Sequence, residues 1–176
     1  GLDFSRQSLD NVERLKLERP ELAHVTLSEG LAHRLEEVVE GFDLIVLNSI
    51  VQYFPSLDYL LQVLDAAVSR LAPGGHLFVG DVRNFCLLEN FHRSLLEEGS
   101  AQLSPTELAA RLRLRLAQEE ELLLSPAFFT SLSQRYRQLP YALVRPKRGR
   151  SRNELTRFRY EAVLGPAPVA MAVDLT

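Results

Sequence analysis

The chain has 176 residues, 46% of them hydrophobic and 24% charged, which suits one globular domain with a substantial core and excludes a disordered or fibrous protein. Twenty basic against 23 acidic residues leave a net charge of −3, so no global field draws the chain to nucleic acid or an acidic membrane. The single cysteine, Cys86, excludes an internal disulfide and a multi-cysteine metal site, and reads as a small buried apolar residue. No apolar run approaches a membrane span and no signal-peptide pattern opens the chain, so a cytoplasmic domain is expected.

Gly1-Leu2-Asp3-Phe4-Ser5 reads as the end of a strand turning into a helix, with Ser5 or Ser8 as N-cap and a Leu9, Val12, Leu15 stripe ending before Pro20. His24 to Leu27 is a short strand candidate, and Leu31 to Glu40 a loop or short helix. Leu44 to Leu47 is an unbroken aliphatic run, as expected of a strand buried on both faces. It stops at Asn48 and Ser49, and Gln52, Tyr53 and Pro55 follow. Ser56 caps the clearest helix, with Leu57, Leu60, Leu61, Leu64, Val68 and Leu71 on one face. Pro73-Gly74-Gly75 stops it, and Leu77 to Val79 forms the next strand, ending at Gly80-Asp81-Val82-Arg83. Strand, helix and strand within about forty residues make a βαβ unit of a parallel sheet. Phe85 to Glu97 reads as helical, and Ser104-Pro105-Thr106-Glu107 as a capping box opening another helix through the alternating Leu and Arg residues. Ser125-Pro126 opens one more helix. Tyr141 to Val144 and Leu155 to Leu164 read as an antiparallel hairpin around the basic turn Lys147-Arg148-Gly149-Arg150, and Gly165 to Thr176 as a linker.

In an open α/β sheet, ligands sit just beyond the carboxyl ends of the strands. Asn48, Ser49, Gln52 and Tyr53 stand at one such end, where they could orient an amine or carbonyl; turn chemistry ahead of a helix explains them equally well. Asp81 ends the next strand and faces the same crevice, or else pairs with Arg83 on the surface. Asp3 stands where an acidic residue can hold a cofactor ribose, although its spacing reads first as a helix cap. His24, His33, His76 and His92 share no metal-binding spacing, so no metal is expected. The basic cluster from Arg145 to Arg159 reads as a solvated turn or a docking patch for an acidic partner before a nucleic-acid platform. No G-x-G pattern occurs, although a cofactor-binding α/β domain needs a glycine-rich loop after its first strand.

Five stretches nonetheless resemble the methyltransferase domains embedded in nonribosomal peptide synthetases. They are Gly1 to Ser5, Phe42 to Pro55, Pro73 to Arg83, Glu119 to Phe129, and Lys147 to Tyr160 with its Asn-Glu-Leu-Thr-Arg-Phe-Arg-Tyr. The resemblance implies a Rossmann-like class I S-adenosylmethionine-dependent methyltransferase sheet with a C-terminal antiparallel hairpin. It implies transfer of a methyl group to the amine of an aminoacyl or peptidyl thioester, with a phosphopantetheinyl carrier protein and an adenylation domain of the same polypeptide as partners. By position it implies that Asp3, with Phe4 and Ser5, holds the cofactor ribose, that Ala32 and His33 lie beside the adenine, and that Asn48 faces the methyl group. Gln52, Tyr53, Asp81 and Glu154 become candidates for holding the acceptor amine.

Two departures stand beside the match. At Ala32-His33-Arg34 the family pattern leads one to expect an acidic pair. The family's first strand and glycine loop would lie before Gly1, so residues 1–164 are expected to be a partial methyltransferase-like domain of a longer polypeptide, followed by a linker over 165–176. Two further readings remain open: a methyltransferase-like domain without cofactor binding that epimerises the aminoacyl thioester, with Tyr53, Asp81 or His33 as acid and base, or a non-catalytic insert. Cofactor binding separates the first reading from the others, and loss of α-deuterium separates the second from the third.

Overall fold

The computed structural model describes residues 1–35, 41–99 and 103–168. Residues 36–40 of the expected loop or helix and 169–176 of the expected linker lie outside the described residues. In chain order the elements are β1 Leu2–Asp3, α1 Arg6–Glu18, β2 Ser28–Glu29, β3 Phe42–Asn48, α2 Leu57–Ser69, β4 Leu71–Arg83, α3 Leu88–Gly99, α4 Pro105–Ala117, α5 Pro126–Arg135, β5 Tyr141–Pro146, α6 Glu154–Phe158 and β6 Arg159–Gly165. The fold is α/β, as the sequence pattern requires. A four-stranded mixed sheet has the order β3-β4-β6-β5, and β1 and β2 form a separate parallel pair.

The unit β3-α2-β4 is the expected βαβ, with its two strands parallel. Ser56 caps α2 by accepting a hydrogen bond from the Tyr59 amide at 3.1 Å, and Asp58 lies in the first turn, where the helix dipole favours it. Its apolar stripe of Leu60, Val63, Leu64, Ala67 and Val68 is buried against a core shared with Leu77 and Val79 of β4, Phe129 and Leu132 of α5, and Ala162 and Leu164 of β6. At the far end of α2, Asp65 takes hydrogen bonds from Arg135 at 2.8 Å and from the Tyr136 hydroxyl at 2.7 Å, tying α5 to α2.

Five sequence expectations change. The strand expected at His24 to Leu27 forms instead at Ser28–Glu29, because Ser28 donates to the Gly1 carbonyl and Gly30 to the Asp3 carbonyl, setting the register with β1. Strand β4 is 13 residues long and runs through Pro73-Gly74-Gly75, whose extra residues are taken up by a bulge between the pairs Phe42↔Leu71 and Leu44↔His76. Leu155 to Phe158 is helical, because Asn153 and Thr156 cap each other reciprocally and override the strand-like pattern. The final two strands do pair antiparallel, but 147–158 joins them and β6 lies inside the sheet, with β5 at the edge. Cys86 is exposed, not buried, on the single turn of 3-10 helix at Phe85–Leu87.

Candidate active site

Strand β3 leaves the sheet at Asn48, whose register partner on β4 is Gly80. Ser49 donates its amide to the Gly80 carbonyl at 3.2 Å and turns the chain with φ 58°. One strand over, the pairing of β4 with β6 slips between Val79 and Val82, so Gly80 and Asp81 form a bulge and Asp81 also takes φ 58°. Two non-glycine residues in the left-handed region thus stand side by side on neighbouring strands. Each costs on the order of 1–3 kcal/mol, a strain that concentrates where a side chain must be re-aimed. A Cβ at Gly80 would run into the Asn48 side-chain oxygen and the Phe78 ring, so both side chains would have to move to admit one.

The bulge aims Asp81 into a polar cluster while leaving it only 5% exposed. Ser49 donates its hydroxyl to Asp81 Oδ2, and Lys147 donates its ammonium to Oδ1. The Asp81 carbonyl, which the bulge removes from the ladder, faces Arg159 Nη1 at 3.5 Å. Arg159 is held in turn by Glu154 Oε1 at 2.7 and 3.0 Å. Burial pushes the Asp81 carboxyl up, but the hydrogen bonds from Lys147 and Ser49 and the charges of Lys147 and Arg159 outweigh it and hold the group below the usual carboxylate range.

The sequence-derived candidates divide. Asn48, Asp81 and, through Arg159, Glu154 come together. Asn48 is exposed and donates Nδ2–H to the Ser49 hydroxyl at 3.1 Å. Gln52, 2% exposed, donates to the Ser49 carbonyl at 3.2 Å, and its Oε1 has no partner among the described residues. Tyr53 is 71% exposed and shares no hydrogen bond with the cluster. Asp3 accepts the Ser5 amide at 2.7 Å, and Ser5 caps α1 through the Ser8 amide at 3.3 Å. Phe4 projects into solvent. His33 turns to the Tyr59 hydroxyl at 3.1 Å, with the two rings edge to face. Arg83, the alternative partner for Asp81, pairs instead with Glu119 at 2.9 Å and Glu121 at 2.7 Å, and His92 shares the same Glu119 oxygen at 3.1 Å.

Sequence reasoning placed Ser49 in the polar cluster at the end of β3, but assigned neither Lys147 nor Arg159 to the site. Both were hidden in a run of cations, and nothing in that run distinguishes the inward Lys147 from the exposed Arg150 and Arg152.

Beside this cluster, a cavity of about 500 Å³ separates the two sheets, lined by Leu2 and Ser28 on one side and by Leu44, Val46 and Leu47 on the other, with Ala32 at its wall. Leu44 and Val46 are 54% and 52% exposed on a strand whose outer edge is unpaired among the described residues. Such an edge, apolar and open, is where another strand adds.

No protein-family model matches the chain. It is 46% identical over 164 residues to chondramide synthase cmdD of Chondromyces crocatus, covering 92% of this chain and 4% of that protein. It is also 35% identical over 169 residues to the nonribosomal peptide synthetase penN of Penicillium thymicola, covering 93% of this chain and 6% of that protein. The chain is homologous to a segment of nonribosomal peptide synthetases. It spans only 4–6% of the length of these two relatives. Among solved structures it superposes on the N-methyltransferase NodS of Bradyrhizobium japonicum in complex with S-adenosyl-L-homocysteine, with a TM-score of 0.57 and 18% identity over 94% of this chain and 65% of that one. An O-methyltransferase family protein from Burkholderia thailandensis gives the same TM-score at 16% identity, covering 93% of this chain and 42% of that one. The synthetase segment therefore has a methyltransferase-type Rossmann-like fold. No helix among the described residues is long and apolar enough to cross a membrane.

Proposed function

We propose that this synthetase segment is a tailoring methyltransferase domain that passes a methyl group from S-adenosylmethionine to the amine of an aminoacyl thioester on a carrier protein. The observation that carries the reading is the Asn48–Ser49–Asp81 cluster, with Ser49 and Asp81 in left-handed backbone, toward the carboxyl ends of neighbouring parallel strands of a methyltransferase fold. The residues present fit one end of such a cofactor. Asp3 stands at the carboxyl end of β1, with one carboxylate oxygen taken by Ser5 and the other without a partner among the described residues, and Ala32 lines the adjoining cavity. When bound, S-adenosylmethionine supplies an electrophilic methyl group.

The rest of the chemistry belongs to the chain's own side chains. An acceptor amine must arrive neutral, with its lone pair aimed along the line of transfer, and positioning supplies most of the rate in such a step. The Asn48 amide oxygen and the Asp81 carboxylate can each accept an amine N–H, and two acceptors on neighbouring strands set the lone-pair direction. A carboxylate held below its ordinary range is a poor proton acceptor at neutral pH. Asp81 therefore orients the amine and stabilises the positive charge that develops on it, more than it removes a proton. That speaks against Asp81 as the base of an epimerisation, which needs a group strong enough to take an α-proton.

Two further parts of the reading concern the surroundings. The open β3 edge and the apolar cavity support completion of the sheet by a strand from an earlier part of a longer polypeptide, bringing the glycine loop this chain lacks. The exposed Arg150 and Arg152, on the loop that sends Lys147 inward, support docking of an acidic carrier protein. The direct test is to load the intact synthetase with aminoacyl thioester, add S-adenosylmethionine, and follow the bound product by mass. A gain of one methylene on nitrogen, abolished by Asp81→Ala, is the expected result. Exchange of the α-hydrogen with solvent and no methylation would sink the proposal in favour of epimerisation.

A further inference from the structure

Lys147 is anchored on the opposite side of β6 from the residue it serves. Its amide donates to the Arg159 carbonyl at 3.2 Å, continuing the β5–β6 ladder by one step beyond Pro146↔Tyr160. From there the side chain crosses β6 to reach the β4 bulge and meet Asp81, with the ammonium about one quarter exposed and the carboxylate nearly sealed. A long, rotamer-rich side chain held across a strand at this depth gives up conformational entropy that a solvated turn lysine would keep. The exposed cations Arg150 and Arg152 of the same loop make no such contact.

We propose that Lys147 is a positioning residue for methyl transfer, which fixes the orientation of the Asp81 carboxylate and keeps it ionised when the acceptor amine is bound. This rests on the methyltransferase reading above. Among the described residues, three groups hold or face Asp81. Ser49 holds Oδ2 from β3, Lys147 holds Oδ1 from the 147–153 loop, and Arg159 faces the main-chain carbonyl from β6 while its own charge is matched by Glu154. Lys147 is thus the one of these cations that binds the carboxylate directly. Without it Asp81 keeps the burial that pushes its carboxyl pKa up and loses the main force opposing that rise, so protonation reaches further toward neutrality. A protonated, reoriented Asp81 presents a donor where the amine requires an acceptor.

The test compares Lys147→Met, which keeps length and removes charge, with Lys147→Arg, which keeps charge, in the intact synthetase. Lys147→Met is expected to lower kcat at pH 6.5 by about tenfold or more, as a misplaced orienting group does, with KM for S-adenosylmethionine little changed. The acid limb of its kcat profile moves to higher pH, and Lys147→Arg restores most of the rate. In an Asp81→Asn background, Lys147→Met adds less than about twofold, because the two act through one contact. An unchanged acid limb in an otherwise active Lys147→Met protein overturns the inference. The readout that separates it from the broader reading is infrared titration of the Asp81 carboxylate band, identified as the difference from Asp81→Asn. If the wild type methylates nothing at any pH, the functional reading fails. A band that then protonates at the same pH in Lys147→Met as in wild type overturns the Lys147 inference as well.

Discussion

Gly80→Ala offers the sharpest test of where the Asn48 amide sits. Gly80 is the register partner of Asn48, and a Cβ there would overlap the Asn48 side-chain oxygen while lying 2.6 and 3.0 Å from two atoms of the Phe78 ring. Neither obstacle is backbone. The Asn48 amide is exposed and can swing out, and the ring can shift by a few tenths of an ångström. Overpacking of that kind costs about 1–3 kcal/mol, and the lost chain entropy of glycine returns about 0.4–1 of it, leaving a net loss of about 1–2 kcal/mol. If the Asn48 amide accepts the amine N–H as proposed, activity should suffer far more, because that group is the one displaced and an error of about 1 Å costs on the order of 100-fold. Gly75→Ala is the matched control at the other end of β4, where the Cβ would lie 2.7 Å from the Phe42 carbonyl and 3.0 Å from the Ala72 carbonyl. Both neighbours are backbone, so the strand itself must move and stability falls at least as far, yet no site residue is touched. Methyl transfer per folded molecule, with hydrogen exchange on the β3 and β4 peptides as the stability measure, should therefore separate the two variants in opposite senses. Equal turnover per folded molecule in both would refute the placement of Asn48.

Glu119→Ala should destabilise by an amount toward the lower end of about 3–5 kcal/mol, since it strands the buried Arg83 and His92 while leaving Glu121 on Arg83; a loss under about 1 kcal/mol by denaturant titration would contradict a structural role for the cluster. Asp65→Asn tests the α2–α5 tie by its pH dependence. The Arg135 hydrogen bond, aided by the Tyr136 hydroxyl and opposed by burial, holds the Asp65 carboxyl below its unfolded value, so its stabilisation is present above about pH 4 and vanishes as pH falls through the folded value. The pair is half exposed, so screening limits the difference from wild type to about 0.5–1 kcal/mol at pH 7, and denaturant midpoints should converge as the carboxyl protonates in acid.

The elements that sequence reasoning placed correctly are those whose signals are local. Ser56 with its heptad-like leucines specifies α2, and Ser104 with Glu107 specifies α4 against the strand-like alternation that follows. The aliphatic Leu44–Leu47 run was legible as a strand, and its polar exit at Asn48 and Ser49 as a strand end, but the expected burial on both faces fails because Leu44 and Val46 lie exposed toward the unpaired edge. The misplaced boundaries depend on pairing at a distance. Nothing in His24–Leu27 announces that Gly1 and Asp3 will fix the register one turn later. The β4 bulge is a property of two ladders that run out of step, invisible from Gly-Asp-Val-Arg alone. Cys86 was misread because a thiol's usual burial is a statistic, whereas the turn after β4 leaves this one outside.

The site's missing members follow from one topological fact. Strand β6 is antiparallel to β4, and β5 is antiparallel to β6, so β5 runs in the same direction as β3 and β4. The carboxyl end of β5 and the amino end of β6 therefore reach the same sheet edge as Asn48 and Asp81. That is why Lys147, just after β5, and Arg159, the first residue of β6, can both address Asp81 although 66 and 78 residues separate them from it. Were β6 parallel to β4, Arg159 would open at the opposite edge and the Asp81 carbonyl exposed by the bulge would face no donor from β6. The antiparallel return thus does more than close the sheet: it brings to the acceptor edge the cations that let a buried, strained carboxylate stay ionised.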